Sequence, residues 1–339
     1  MNLVLLERLT SANSVSGDEN EVRELIKSLL PDECDTKTDN MGNLIVTRKG
    51  KKTPKNKVML AAHMDEVGFI VTAVTDEGLL KFSSVGGINP SAVYGRRVKF
   101  RNGTVGVIAA KAVHMLKGDE KDSQPSLDEL TIDIGVNSRS EAEKLIALGD
   151  NCYFENDFFL FGDNRLHAKA LDDRIGCMIM IEMLAFEPEY DLTCVFTVQE
   201  EVGLRGAGCA AYSVNPDFAI VLESTTACDI SGSDGENKVC SLGEGAVASF
   251  MDKSTIYDKE FYNLAFETAK EIGVKCQTKT KVAGGNDSGA IHKAVGGIRT
   301  AAISVPTRYL HTASCVVDLA DITAAEKLAK AMYKKLCEL

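Results

Sequence analysis

Apolar runs along the chain alternate with amphipathic stretches, and several of the runs end abruptly in charged residues. Residues 43–47, 58–62, 195–198, 218–222 and 300–305 have the β-branched, apolar composition of buried strands. Residues 175–185, 203–211, 258–272 and 318–336 are typical of helices, and a capping-box pattern at Ser16 and Glu19 predicts one more. Strands that alternate with helices predict an α/β fold with a mainly parallel sheet covered by helices.

The pattern changes between residues 69 and 162. Short apolar runs there are separated by Gly, Asn and Asp at close spacing, which favours a small β-barrel-like domain. One short helix is predicted within it from Ser138 and Glu141. Residues 117–128 are dense in charge, which we interpret as a mobile loop, with a plain surface loop as the commoner alternative. We therefore predict one domain made of residues 1–68 and 163–339, with residues 69–162 inserted as a second.

The stretch V-F-T-V-Q-E-E-V-G at 195–203 is the centre of the candidate chemistry. Neighbouring side chains of a strand point to opposite faces, so Glu200 and Glu201 can serve one site only where the strand has ended. The carboxyl ends of strands are where α/β sheets place their ligands. A solvated acidic turn is the alternative interpretation.

Metal-binding residue types recur near the other predicted strand ends. His63 and Asp65 share a face, which suits a metal ligand and its orienting carboxylate. Two imidazoles and three carboxylates suit two divalent cations of the zinc, cobalt or manganese kind, as in two-metal aminopeptidases. Glu200 is then left as a general base for a metal-bridging water. The candidate ligands are His63, Asp172, Glu201, Glu223 and His311.

Composition narrows the class of protein further. The formal net charge of −11 over 339 residues disfavours nucleic acid or an anionic membrane as partner. Ten cysteines occur without a C-x-x-C pair, which favours a reducing compartment and a cytoplasmic location. The first residues lack the features of a signal peptide, and no apolar run approaches the roughly 18 residues of a membrane span.

Five motifs resemble the tetrahedral and glutamyl aminopeptidases, a family of cocatalytic metallopeptidases with a zinc-aminopeptidase-like fold. They are A-H-M-D-E-V-G (62–68), K-A-L-D-D-R (169–174), Q-E-E-V-G (199–203), G-G-N-D-S-G (284–289) and P-T-R-Y-L-H (306–311). The resemblance covers the whole chain. It implies a bridging Asp172 with a cis Asp172–Asp173 peptide, Asp65 orienting His63, and Glu200 as catalytic base. It also implies a β dimerisation domain and a tetrahedral dodecamer, built from dimers, that acts on short peptides.

Two departures from the family keep alternatives open. Glu223 replaces the usual aspartate, and glutamate there is commoner in carboxypeptidase-like or aminoacylase-like relatives. Cys315 replaces a glutamate shortly after the final histidine. A non-catalytic relative is thus a second hypothesis, and a glycosidase, which needs only a carboxylate pair, is a third. Asp287 either caps a helix, which we favour, or lines the site. The preferred amino-terminal residue stays open.

Overall fold

The computed structural model describes residues 1–115 and 126–339. Of the loop expected at 117–128, residues 117–125 lie outside this described part, and Leu127–Glu129 form a 3₁₀ turn. The helices are α1 (Leu3–Ser11), α2 (Asn20–Leu29), α3 (Arg139–Ala142), α4 (Leu171–Leu184), α5 (Arg205–Val214), α6 (Lys259–Glu271), α7 (Ser288–Ile291) and α8 (Leu319–Glu338).

Strands make up two separate sheets. Those of the main sheet are β1 (Cys34–Thr38), β2 (Leu44–Arg48), β3 (Val58–His63), β10 (Phe159–Phe161), β11 (Arg165–Ala168), β12 (Leu192–Thr197), β13 (Phe218–Thr226), β14 (Ala246–Ala248), β15 (Cys276–Thr278), β16 (Arg299–Arg308) and β17 (Cys315–Asp318). Those of the second sheet are β4 (Gly68–Val74), β5 (Leu80–Val85), β6 (Arg97–Phe100), β7 (Val105–Ala109), β8 (Thr131–Asp133) and β9 (Asn151–Phe154).

The main sheet has the order β1-β2-β12-β3-β13-β16-β17-β11-β10, with β14 joined to β16 and β15 to β14. Its centre, β12-β3-β13-β16, is parallel, whereas the strands on both flanks pair antiparallel. The sheet is therefore mixed rather than mainly parallel, and the α/β class is confirmed. The parallel centre matters for function because it brings four carboxyl ends to one edge.

Helices cover both faces of this sheet. Successive side chains of a strand point to opposite faces, and in the central strands both sets are apolar and buried. In β3, Leu60 packs on one face with α1, α4, α6 and α8, whereas Met59 and Ala61 pack on the other with α5. All three side chains are fully buried. A central strand buried on both faces reads as a continuous apolar run, which is why the sequence predicts β3 well.

The second sheet closes into a six-stranded barrel in the order β4-β5-β8-β7-β6-β9. Three phenylalanines fill its interior: Phe69 packs edge-on against Phe82 and Phe154, with ring centroids 5.1 and 5.2 Å away. The predicted barrel-like domain is thus confirmed as a fold, and the helix expected at Ser138 begins at Arg139. Among the described residues, no helix is both long and apolar enough to cross a membrane.

The capping box predicted at Ser16 and Glu19 is wrong. Helix α2 begins at Asn20, and the Ser16 hydroxyl instead donates a hydrogen bond to the Asp65 carboxylate (2.6 Å). The Glu19 carboxylate accepts from the backbone N–H groups of Gly17 and Gln199. Charged acceptors form the stronger hydrogen bonds, so Ser16 is drawn to a carboxylate rather than to the helix end.

Candidate metal centre

Most candidate ligands lie where the parallel centre of the main sheet ends. His63 is the last residue of β3, Glu200 and Glu201 follow β12, and His311 follows β16. Glu223 differs from expectation because β13 continues to Thr226, so this side chain projects from within the strand. Asp172 enters from the start of α4, and the peptide bond that joins it to Asp173 is cis, as the family resemblance implies.

Asp172 lies between the two histidines. One of its carboxylate oxygens is 3.3 Å from His63 Nε2, and the other is 3.5 Å from His311 Nε2. Glu223 approaches His63 Nε2 to 3.5 Å, and Glu201 approaches His311 Nε2 to 3.2 Å. The five predicted ligands thus form one cluster with two halves that share a single carboxylate.

Backbone carbonyls set the tautomer of both imidazoles. His63 Nδ1 lies 3.0 Å from the Asp65 carbonyl oxygen, and His311 Nδ1 lies 2.8 Å from the carbonyl oxygen of Gly87. A carbonyl only accepts, so each Nδ1 carries the proton and donates. This leaves Nε2 of each ring as the nitrogen that could bind a cation, and both Nε2 atoms face the carboxylates. Gly87 belongs to the segment after β5, so a residue near the barrel orients His311.

Asp65 has a wider role than the sequence predicts. Its carboxylate is 3.5 Å from His63 Nδ1, farther than its own backbone carbonyl. The same carboxylate accepts the backbone N–H groups of Glu200 (3.0 Å) and Glu201 (3.1 Å). It is fully buried. Asp65 therefore holds the turn that carries both glutamates, as well as lying beside His63.

Two buried carboxylate oxygens in the cluster have no hydrogen-bond donor in the described residues, Oε2 of Glu223 and Oδ2 of Asp173. Ligand atoms of His63, Asp173 and Glu223 lie within 4.8 Å of one another, and so do those of His63, Asp172 and Glu201. A divalent cation can bind buried carboxylate oxygens that lack a donor, together with the imidazole nitrogens that face them. The residues present therefore fit metal binding.

Asp173 was missed as a candidate ligand, although the D-D doublet was visible in the sequence. Its other oxygen accepts the backbone N–H of Gly176 (3.1 Å). A Cβ at Gly176 would lie 2.4 Å from the Asp173 carboxylate, so only glycine leaves room for that side chain.

The electrostatics of the cluster also favour a cation. Burial, reinforced by the nearby Asp172, raises the pKa of Glu201 to about 7 and that of Glu223 to about 8. Burial raises the pKa of Asp172 too, but hydrogen bonds with His311 and His63 outweigh it and hold that pKa well below the usual range. Carboxylates this close cannot all ionise unless positive charge lies among them.

Asp287 does not cap a helix, contrary to the interpretation we favoured. It precedes α7 without a side-chain capping bond, and its buried carboxylate accepts a hydrogen bond from the Thr197 hydroxyl at the end of β12. Cys315 is buried and its thiol lies 3.5 Å from the carbonyl oxygen of Tyr309; burial raises the pKa of this thiol to about 12, so it stays neutral. A neutral thiol is a poor metal ligand.

The fold and this donor set define a class: hydrolases that place histidines and carboxylates at the carboxyl edge of an α/β sheet. A sequence model of the M42 glutamyl aminopeptidase family matches residues 42–328. The chain belongs to that family, and it is a peptide hydrolase of the aminopeptidase class.

Several known aminopeptidases are similar in sequence to this chain along almost its full length. A putative aminopeptidase of Acetivibrio thermocellus is 41% identical over 96% of both chains. The glutamyl aminopeptidase of Lactococcus lactis is 31% identical (98% of this chain, 95% of that one), and the lysyl aminopeptidase of Pyrococcus furiosus is 32% identical (98% and 96%).

Solved structures support the same assignment. The TET aminopeptidase of Thaumarchaeota archaeon SCGC AB-539-E09 superposes with a TM-score of 0.93 at 32% identity, covering 99% of this chain and 97% of that one. TET1 peptidase of Pyrococcus horikoshii, described as assembling into a tetrahedron or a large octahedral shell, has a TM-score of 0.85 at 34% identity (97% and 98%).

Proposed function

We propose that this protein releases amino-terminal residues from short peptides with the help of two divalent cations. The observation that carries the proposal is the position of Asp172, which offers one oxygen toward each of His63 and His311. One cation would be held by His63, Glu223 and Asp172, with Asp173 close enough to take part. The other would be held by Asp172, Glu201 and His311. Zinc suits these nitrogen and oxygen donors, and cobalt or manganese would also fit.

Glu200 is the proposed general base. It lies outside both candidate ligand groups of the described residues, yet lines the same cleft. Divalent cations at such a site polarise an amide carbonyl and lower the pKa of a water molecule. Glu200 would take one proton from the attacking water and return it to the leaving amine, so the protons balance. Asp65 would hold the backbone of Glu200 in place during both transfers.

Assembly and location are part of the same proposal. Residues 69–162 would serve as an inserted dimerisation domain, and dimers would build a tetrahedral dodecamer, as relatives of the TET type suggest. An enclosed assembly would admit short peptides in preference to folded proteins. All ten cysteines are free, which supports a cytoplasmic location.

The first test is metal removal followed by reconstitution. Chelation is expected to abolish hydrolysis of aminoacyl-p-nitroanilides, and zinc, cobalt or manganese should restore it at two ions per subunit. Blocked peptides serve as controls, because an aminopeptidase needs the free amine. Cleavage of blocked substrates would instead favour the carboxypeptidase-like alternative raised by Glu223. Chelator-resistant cleavage of a β-glucan would favour a glycosidase, and inactivity with every metal would favour a non-catalytic protein.

Asp65 offers a second prediction. Asp65→Asn places an N–H donor among groups that themselves donate, namely the N–H groups of Glu200 and Glu201. Metal affinity should fall by about 10- to 100-fold, the usual effect of disturbing the partners of metal ligands. Competition with a chromogenic chelator measures it. Ser16→Ala, which removes a single hydrogen bond to Asp65, is the matched control and should have a smaller effect. Unchanged affinity in Asp65→Asn would contradict the positioning role.

A further inference from the structure

A cleft of about 410 Å³ extends from the candidate metal centre. Its acidic lining residues all belong to that centre: Asp172, Glu200, Glu201 and Glu223. The rest of the lining includes two basic residues, Lys279 and Lys281, together with small and polar side chains. The cleft lining therefore has two charged parts: the carboxylates at the candidate metal centre, and the two lysines outside it.

Hydrogen bonds hold the segment that carries both lysines. Lys279 directly follows β15, and its backbone N–H donates to the Ala248 carbonyl, which extends the pairing with β14 by one bond. The next residue, Thr280, uses its hydroxyl to donate to the carbonyl of Glu236 (2.8 Å) or Val239 (3.0 Å). Anchoring of Thr280 fixes the main chain between the two lysines, and both lysines line the cleft.

Neither ammonium group forms an ion pair in the described part of the chain. Lys279 is half-buried and Lys281 is exposed. The main chain at this segment is held by two hydrogen bonds, from the Lys279 N–H to the Ala248 carbonyl and from the Thr280 N–H to the Val239 carbonyl. Once cations neutralise the carboxylates of the metal centre, these lysines are the remaining charge on the cleft lining. A positively charged wall in a cleft attracts anionic groups of a ligand.

We propose that Lys279 and Lys281 form a subsite that binds a carboxylate of the peptide substrate. The inference rests on the proposed function, because it assigns the substrate preference of the same site. Two parts of a short peptide can supply a carboxylate: an acidic side chain next to the cleaved bond, or the carboxyl terminus itself. Both would be recognised by the same charge-assisted hydrogen bonds. The subsite would thereby select acidic or very short peptides over neutral, carboxyl-blocked ones.

The experiment compares peptides that differ only in the position of one carboxylate. They are Ala-Ala-Ala-amide, Glu-Ala-Ala-amide, Ala-Glu-Ala-amide and Ala-Ala-Ala with a free carboxyl terminus, each hydrolysed by the metal-loaded full chain. At least one charged peptide should exceed the neutral one by roughly tenfold in kcat/KM, the effect of one charge-assisted hydrogen bond. Which peptide it is identifies the source of the carboxylate. The preference should weaken as salt rises, because the lysines are solvent-accessible.

Variants assign the preference to the two lysines. In the double variant Lys279→Met and Lys281→Met, the ratio between charged and neutral peptides should fall to about one, because methionine keeps the length but not the charge. The double variant Lys279→Arg and Lys281→Arg should retain a preference above one. Lys259→Met, which removes the same charge from an exposed position at the start of α6, should leave the ratio unchanged.

A general loss of structure would lower both rates and leave their ratio, so the ratio separates a specificity role from a structural one. Equal rates for all four peptides in the wild type, or an unchanged ratio in the double methionine variant, would overturn the proposal. If the wild type hydrolyses none of them, the proposed function fails first. Calorimetric binding of the charged and neutral peptides then decides the subsite independently, since tighter binding of a charged peptide must disappear in the double methionine variant.

Discussion

Glu200→Gln is expected to lower kcat by about 10³-fold, within the range that general bases contribute. Glutamine has the same shape as glutamate but cannot take a proton from water, so the proton needed by the leaving amine has no carrier. Glu200 is not among the candidate ligands of the described residues, so metal content should stay at the wild-type value. Glu201→Gln should behave differently and lose metal, because Glu201 lies 3.2 Å from the ligand atom of His311.

Two measurements on each variant separate these outcomes: single-turnover hydrolysis of an aminoacyl-p-nitroanilide and metal content per subunit. Glu267→Gln, an exposed substitution on α6, controls for the chemical change itself. Substantial activity in metal-loaded Glu200→Gln would eliminate Glu200 as the base. Loss of metal from Glu200→Gln would place it among the ligands instead, and the assignment of five ligands would have to be revised.

The sequence predicts the central strands and the cluster of site residues for the same physical reason. Strands buried on both faces are continuous apolar runs, so their ends are visible where charge begins. This locates His63 and Glu201, which the structure brings close to Asp172 and His311, and Glu200, which lines the same cleft. Their roles as ligands and base stay predictions until metal is measured.

Edge strands leave no such signal. The residues of β1, C-D-T-K-T, show no alternation of apolar and polar side chains and are mostly exposed, and among the described strands β1 pairs with β2 alone. In β10 the opposite problem arises, since all three residues are apolar and exposed. Period-two patterns report burial on one face, and neither strand has that kind of burial. The two outermost strands of the sheet, β1 and β10, were missed for this reason.

Contacts between residues that are distant in sequence could not be predicted either. Gly87 supplies the carbonyl that orients His311 from 224 positions away, through backbone atoms that carry no residue-specific signal. Ser16 and Glu19 matched a local capping pattern, yet both bind groups far along the chain. Rules for helix capping consider only partners within a few residues, whereas Asp65 and the backbone of Gln199, which bind these two side chains, are distant in sequence.

Glu66→Gln is expected to destabilise the protein by about 3–5 kcal/mol, the usual cost of leaving a buried charge without its partner. The Glu66 carboxylate accepts from Lys169 Nζ at 2.7 and 2.8 Å, and from Arg174 at 3.4 Å. All three side chains are almost fully buried. Burial lowers the pKa of Lys169, and the charge of Glu66 opposes that shift. Denaturant unfolding of the metal-free protein measures the loss.

The pair links the two segments that carry the proposed ligands His63 and Asp172, because Glu66 and Lys169 each lie three residues from one of them. Lys169→Met should cost less than Glu66→Gln, since Glu66 keeps Arg174 and the Ser14 N–H (3.1 Å). Combining both changes should recover stability relative to Glu66→Gln alone, because no unpaired ammonium remains at position 169. Glu24→Gln, at an exposed pair with Lys27, should cost at most about 0.5 kcal/mol. Equal costs for the two buried single variants would mean that packing, rather than charge, stabilises this junction.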